Sequence, residues 1–62
     1  MQNKNSNKEF YLVEELAEKL RVSKMTIYRY IGASKIDAYK IGKEYRIKIE
    51  DFNKFLNKVK IK

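Results

Sequence analysis

The stretch RVSKMTIYRYIG, residues 21–32, decides how this 62-residue chain is read. Wound at 3.6 residues per turn it separates into two stripes, Val22, Ile27, Tyr30 and Ile31 on one side and Lys24, Met25, Tyr28 and Arg29 on the other. The first stripe has the spacing of a buried helix face. The second is cationic and aromatic: Tyr28 as a half-buried packing residue and Met25 as a gap-filler are the plain readings, but Lys24 and Arg29 call for another use. Ser23 stands just before the periodic segment as a natural N-cap, its hydroxyl able to accept from the amide of Met25 or Thr26. Gly32 and Ser34 mark the end of this helix and the start of a loop.

Upstream, VEELAEKL places Val13, Leu16, Ala17 and Leu20 at i, i+3, i+4 and i+7, which predicts an amphipathic helix. Its outer face carries Glu14, Glu15 and Glu18, and acids in the first turn suit the positive end of the helix dipole. A face this acidic is repelled by phosphate, so this helix is expected to point away from any nucleic acid. A turn of about three residues separates the two helices, the spacing of a helix-turn-helix. Before them, Phe10, Tyr11 and Leu12 form an extended lead-in or a one-turn clasp, and residues 1–9 read as a disordered polar tail to a single domain over residues 10–62.

Downstream, the period changes to two from Ala38. Tyr39, Ile41, Tyr45 and Ile47 are expected on one side and Lys40, Arg46 and Lys48 on the other, with GKE at 42–44 as the turn of a two-stranded ribbon. Glu50 and Asp51 then open a last helix whose Phe52, Phe55, Leu56 and Val59 share one face, leaving Lys54, Lys58, Lys60 and Lys62 solvated.

Composition narrows the chemistry. The chain has no cysteine and no histidine, which removes disulfides, thiolate or imidazole metal ligands and Ser-His or Cys-His nucleophiles. At this length a deep substrate cavity has no room, so neither an enzyme nor a cofactor is expected. No apolar run reaches the roughly 20 residues of a membrane span, and a soluble cytoplasmic protein is expected. Lysine and arginine number 15 against 8 acids, a net +7. Residues 9–20 carry four glutamates and one lysine, whereas residues 21–48 carry eight cations and two acids. Basicity gathered in the middle of a chain favours a polyanionic partner, DNA or RNA before an anionic membrane surface.

Over residues 11–56 the chain resembles the excisionase-type DNA-binding domains related to the MerR family. The resemblance runs through YLVEELAEKLRVSKMTIYRYI, then AYKIGKEYRI, then EDFNKFL, without a gap. It implies a winged helix-turn-helix fold, mainly α with a small β-hairpin. Five positions depart from the family pattern, one of them Asp37, where proline is frequent. Leu12 stands where a Thr or Ser cap is frequent, and Arg21 stands where a glycine commonly precedes VS, so Arg21 either turns left-handed or the turn differs. Ser34 occupies a usual glycine position while Gly32 falls two residues early, which predicts a shorter second helix. Glu44 replaces a residue that is often basic or small.

The resemblance implies that Lys24, Met25, Tyr28 and Arg29 enter the major groove of double-stranded DNA. Arg29 is the candidate for bidentate guanine reading, Lys24 for a phosphate, Met25 or Thr26 for a thymine methyl, and Tyr28 for a phosphate and sugar. Ser23, besides capping, leaves the helix start open to a phosphate oxygen. Lys40, Lys43 and Arg46 of the wing follow the backbone, which requires Arg29 and Arg46 on one side of the molecule. About five neutralised phosphates predict a log–log salt slope of roughly −4 to −5. The family implies a recombination directionality factor of a bacterial mobile element, bending DNA for an integrase or recombinase, or a small transcriptional regulator. With neither a ligand domain nor a long helix after the wing, the architectural role is expected, with a second copy on adjacent sites. A protein-interaction module using the closing helix or the acidic first helix, and a membrane-surface module, are the readings from other classes.

Overall fold

The computed structural model describes residues 9–61. The elements run β1 (Phe10–Leu12), α1 (Val13–Leu20), α2 (Lys24–Gly32), β2 (Tyr39–Ile41), β3 (Glu44–Lys48) and α3 (Ile49–Val59). This is a winged helix-turn-helix. The expected tail lies outside the described residues except at Glu9, whose carbonyl accepts from the Ile49 amide at 3.3 Å.

Both helices of the motif form where the 3.6-residue period places them. Val13, Leu16 and Ala17 of α1 are buried, and Ile27 of α2 is fully buried beside them. Leu12, the N-cap of α1, offers no side-chain acceptor; the Glu15 carboxylate instead accepts from the Leu12 amide at 2.8 Å, half of a capping box. Ser23 caps α2 through a 3.2 Å bond from the Thr26 amide, and the Ser23 and Thr26 hydroxyls lie 3.1 Å apart.

Between the helices Arg21 takes the left-handed conformation, φ 60° and ψ 44°, so that its amide reaches the Glu18 carbonyl and the Val22 amide reaches that of Ala17. A side chain therefore holds the left-handed position where glycine would be unstrained. After α2 the same role falls to Ser34, at φ 61°, while Gly32 remains the last helical residue with no positive φ. The loop that follows returns Ile36 to the core, where it is 2 % exposed.

The lead-in is a strand. β1 pairs antiparallel with β3, Phe10 opposite Lys48 and Leu12 opposite Arg46, giving a three-stranded sheet of order β1-β3-β2 rather than a two-stranded ribbon. The hairpin also differs from the expected facing. Ile41 pairs with Glu44 across a two-residue turn, Gly42–Lys43, with Gly42 at φ 66°. A two-residue turn, unlike the three-residue GKE turn, places odd positions of β2 on the same face as even positions of β3. Tyr39 and Ile41 therefore stand on the outer face with Arg46, and both are about half exposed, whereas Lys40 shares the inner face with Tyr45. Ile47, fully buried, remains inner as expected.

The core comprises Val13, Leu16, Ala17, Ile27, Ile36, Ile47, Phe52 and Phe55. Edge-on packing of Tyr11 against Phe52, with ring centres 5.4 Å apart, and a tilted contact of Tyr30 with Phe55, at 5.2 Å, extend it. The apolar stripe of α3 is buried only along its first half. Leu56 and Val59 are exposed, and Val59 lines a shallow cleft with Ser34, Lys35 and Phe55. Among the described residues no helix is long and apolar enough to cross a membrane.

Candidate nucleic-acid interface

The helix α2 packs chiefly on α1, and this contact turns its second stripe outward. At 100° per residue, Lys24, Tyr28, Met25 and Arg29 fall within an arc of about 140°. All four are exposed, Met25 at 64 % and Tyr28 at 45 %. An uncovered methionine and tyrosine between two cations on one short helix supply apolar, hydrogen-bonding and charged contacts along a single ridge. Thr26 is not on that ridge. It is half-buried, and its amide and hydroxyl are both engaged with Ser23.

The ridge continues into the hairpin through aromatic contact. The ring of Tyr28 lies 6.0 Å from that of Tyr45, tilted by 58°, and the Lys40 ammonium sits 5.7 Å from the centre of the Tyr45 ring. Tilted ring pairs and cation–π contacts of this kind are each worth about 0.5–1.5 kcal/mol. Lys40, which alternation alone puts on the outer side, thus belongs to the same side as α2. Lys43 occupies the exposed tip.

Arg46 lies elsewhere. Its pairing with Tyr39 and Leu12 places it on the outer face of the sheet, turned away from Tyr45 and hence from Tyr28. Its Nη2 donates to Glu44 Oε1 at 3.1 Å, and its Nε is buried with no hydrogen-bond partner among the described residues. This register corrects the expectation that Lys40 and Arg46 share one side of the ribbon, and it is Lys40 that stands with Tyr45 on the side of Tyr28. The outer face also holds Phe10 and Tyr39, 6.1 Å apart, with the Lys48 ammonium 5.6 Å from the Tyr39 ring and 3.9 Å from Glu50.

A second correction concerns α1. Glu14 does not turn away from the ridge with the rest of the acidic face: it lines a small cleft together with Leu12, Val13, Tyr28, Lys43, Glu44 and Tyr45. Two carboxylates, Glu14 and Glu44, therefore border the junction of α2 and the wing. Glu18 is exposed on the next turn of α1. The border position of Glu14 follows from its place directly after buried Val13 at a helix start that abuts the sheet, a consequence of packing that periodicity does not carry.

Residues 10–60 match a known family, described as a helix-turn-helix domain. The chain belongs to that family. Helix-turn-helix domains present their second helix to the major groove, and α2 with its cap and outward stripe is the corresponding element here. Among curated proteins, the helix-turn-helix domain is similar to "Uncharacterized protein YvgK" of Bacillus subtilis (strain 168), 38 % identical over 45 residues. That alignment covers 73 % of this chain and 15 % of the relative, so the chain matches only a small part of the longer protein. No solved structure matches the chain.

Proposed function

We propose that this helix-turn-helix domain binds double-stranded DNA, with α2 in the major groove and the hairpin on the adjoining backbone. The observation that carries the reading is the row of exposed Lys24, Met25, Tyr28 and Arg29 that half-buried Tyr45 links to exposed Lys40 and Lys43. A groove about 12 Å wide admits one helix, and a planar guanidinium at Arg29 matches the two acceptors of guanine. Met25 offers an apolar surface for a thymine methyl; Lys24, Lys40 and Lys43 meet phosphates; the Tyr28 hydroxyl donates to a phosphate oxygen. Ser23 and Thr26 shape the start of the helix rather than read bases. Arg46 meets no phosphate of the same duplex, which lowers the number of neutralised charges to four.

The domain acts as an architectural partner of a recombinase, in keeping with its resemblance to excisionase-type domains. A single module of this size buries about 600–1,000 Å² on DNA and binds weakly alone, so adjacent copies or a recombinase complete the site. Footprinting on DNA flanking the gene, with a salt titration and a bending assay, tests both levels. Directly repeated sites, filled cooperatively with bending, support the architectural role. A single promoter palindrome instead favours a transcriptional regulator using the same surface, and a salt slope near zero removes DNA binding altogether.

A further inference from the structure

We propose that Tyr45 is a positioning residue that fixes the tip of the wing relative to α2, setting the spacing between the two elements that meet the duplex. The inference rests on the DNA-binding reading for its purpose, but its mechanical content is independent of DNA. β1 ends at Leu12, opposite Arg46, so the sheet is three strands wide only as far as that residue. Tyr45, Glu44 and the turn at Gly42 and Lys43 project beyond it as a bare two-stranded hairpin. Two-stranded hairpins are marginally stable unless something packs on them. All three residues of β2 are exposed, and the ring contact that ties the strand to the body, Tyr39 on Phe10, lies at its start and not at the tip.

The ring of Tyr45 supplies the anchor. It is half-buried, and it packs on the Tyr28 ring on one side and under the Lys40 ammonium across the strand pair. The cleft lined by Leu12, Val13, Glu14 and Lys43 lies at the same junction. Without the ring, that cleft widens and the hairpin tip is free to pivot about the fully buried Ile47. A pivoting tip carries Lys40 and Lys43 out of register with Arg29, so a duplex has to order the wing before both elements can bind.

The test uses the full chain in three forms: wild type, Tyr45→Leu and Tyr45→Phe. Leucine keeps apolar bulk against the core and removes the aromatic platform; phenylalanine keeps the platform and removes the hydroxyl. Residual dipolar couplings are measured for backbone amides without DNA. Expected are couplings of residues 39–45 that fit the alignment frame of the helices in wild type and Tyr45→Phe but shrink by half or more in Tyr45→Leu. Equal couplings in all three forms overturn the proposal. Tyr28→Leu attacks the contact from the exposed side, where folding is least at risk, and is expected to loosen residues 39–45 in the same way; an unchanged hairpin there also overturns it. On DNA, Lys43→Ala is expected to reduce the salt slope by about 0.9 in wild type and by less than a third of that in the Tyr45→Leu background. If wild type shows no salt-dependent binding while the couplings behave as expected, the DNA reading fails and the positioning role of Tyr45 stands.

Discussion

Lys40 and Arg46 differ by one step of strand register, and that step separates their electrostatic roles. On a nonspecific duplex Arg29 meets a phosphate as Lys24, Lys40 and Lys43 do, and four neutralised phosphates give a log–log salt slope of about −3.6. Between 50 and 200 mM salt, affinity for duplex DNA then falls roughly 150-fold. Lys40→Ala removes one contact, which lowers the slope to about −2.7 and the loss over the same range to roughly 40-fold. Arg46→Gln is expected to leave the slope at the wild-type value, because the guanidinium it removes faces away from Tyr28 and is bonded to Glu44. Fluorescence anisotropy with a labelled nonspecific duplex is the assay, since the counterion-release term does not depend on sequence. Thermal melts of each variant exclude unfolding as the cause. An Arg46→Gln slope as shallow as that of Lys40→Ala would refute the assignment of faces from the two-residue turn.

Other outcomes follow from single contacts. Glu14→Gln removes a carboxylate from the border of the ridge and is expected to raise duplex affinity about two- to fivefold at low salt, read by the same anisotropy titration, with the gain fading as salt screens it. Ile27→Ala empties a fully buried position where α1 and α2 meet, costing about 2–5 kcal/mol, enough to unfold much of a domain this small in a circular-dichroism melt. Ser23→Ala breaks the 3.2 Å cap of α2 and should cost about 1 kcal/mol by urea titration. Arg21→Gly relieves a left-handed side chain and should stabilise by about 0.5–1 kcal/mol in the same titration; a loss of stability instead would show that Arg21 makes a compensating contact.

Helix positions and faces were legible from local pattern. Val13, Leu16, Ala17 and Ile27 are buried where the 3.6-residue period puts them, and Ser23 caps the helix it precedes. The outward stripe of α2 was equally legible, since a helix has one backbone geometry and its faces follow from spacing alone. Ile36 was missed because a lone isoleucine in a loop has no period to announce it, although an apolar residue isolated among Ser34, Lys35 and Asp37 is the sort of signal that marks an anchored loop. Leu56 and Val59 continue the pattern of α3 but stay exposed, because period marks a face and not which neighbour covers it.

The sequence by itself determined three amphipathic helices, the cap and turn between the first two, and the gathering of positive charge on α2 and the hairpin. Only the tertiary structure decided that residues 10–12 form a third strand, that Lys40 rather than Arg46 joins the ridge, and that Glu14 borders it. The physical reason is the same in each case. A helix closes its hydrogen bonds four residues away, so its faces are local; a strand finds its partner far along the chain, and one residue more or less in a turn exchanges its two sides.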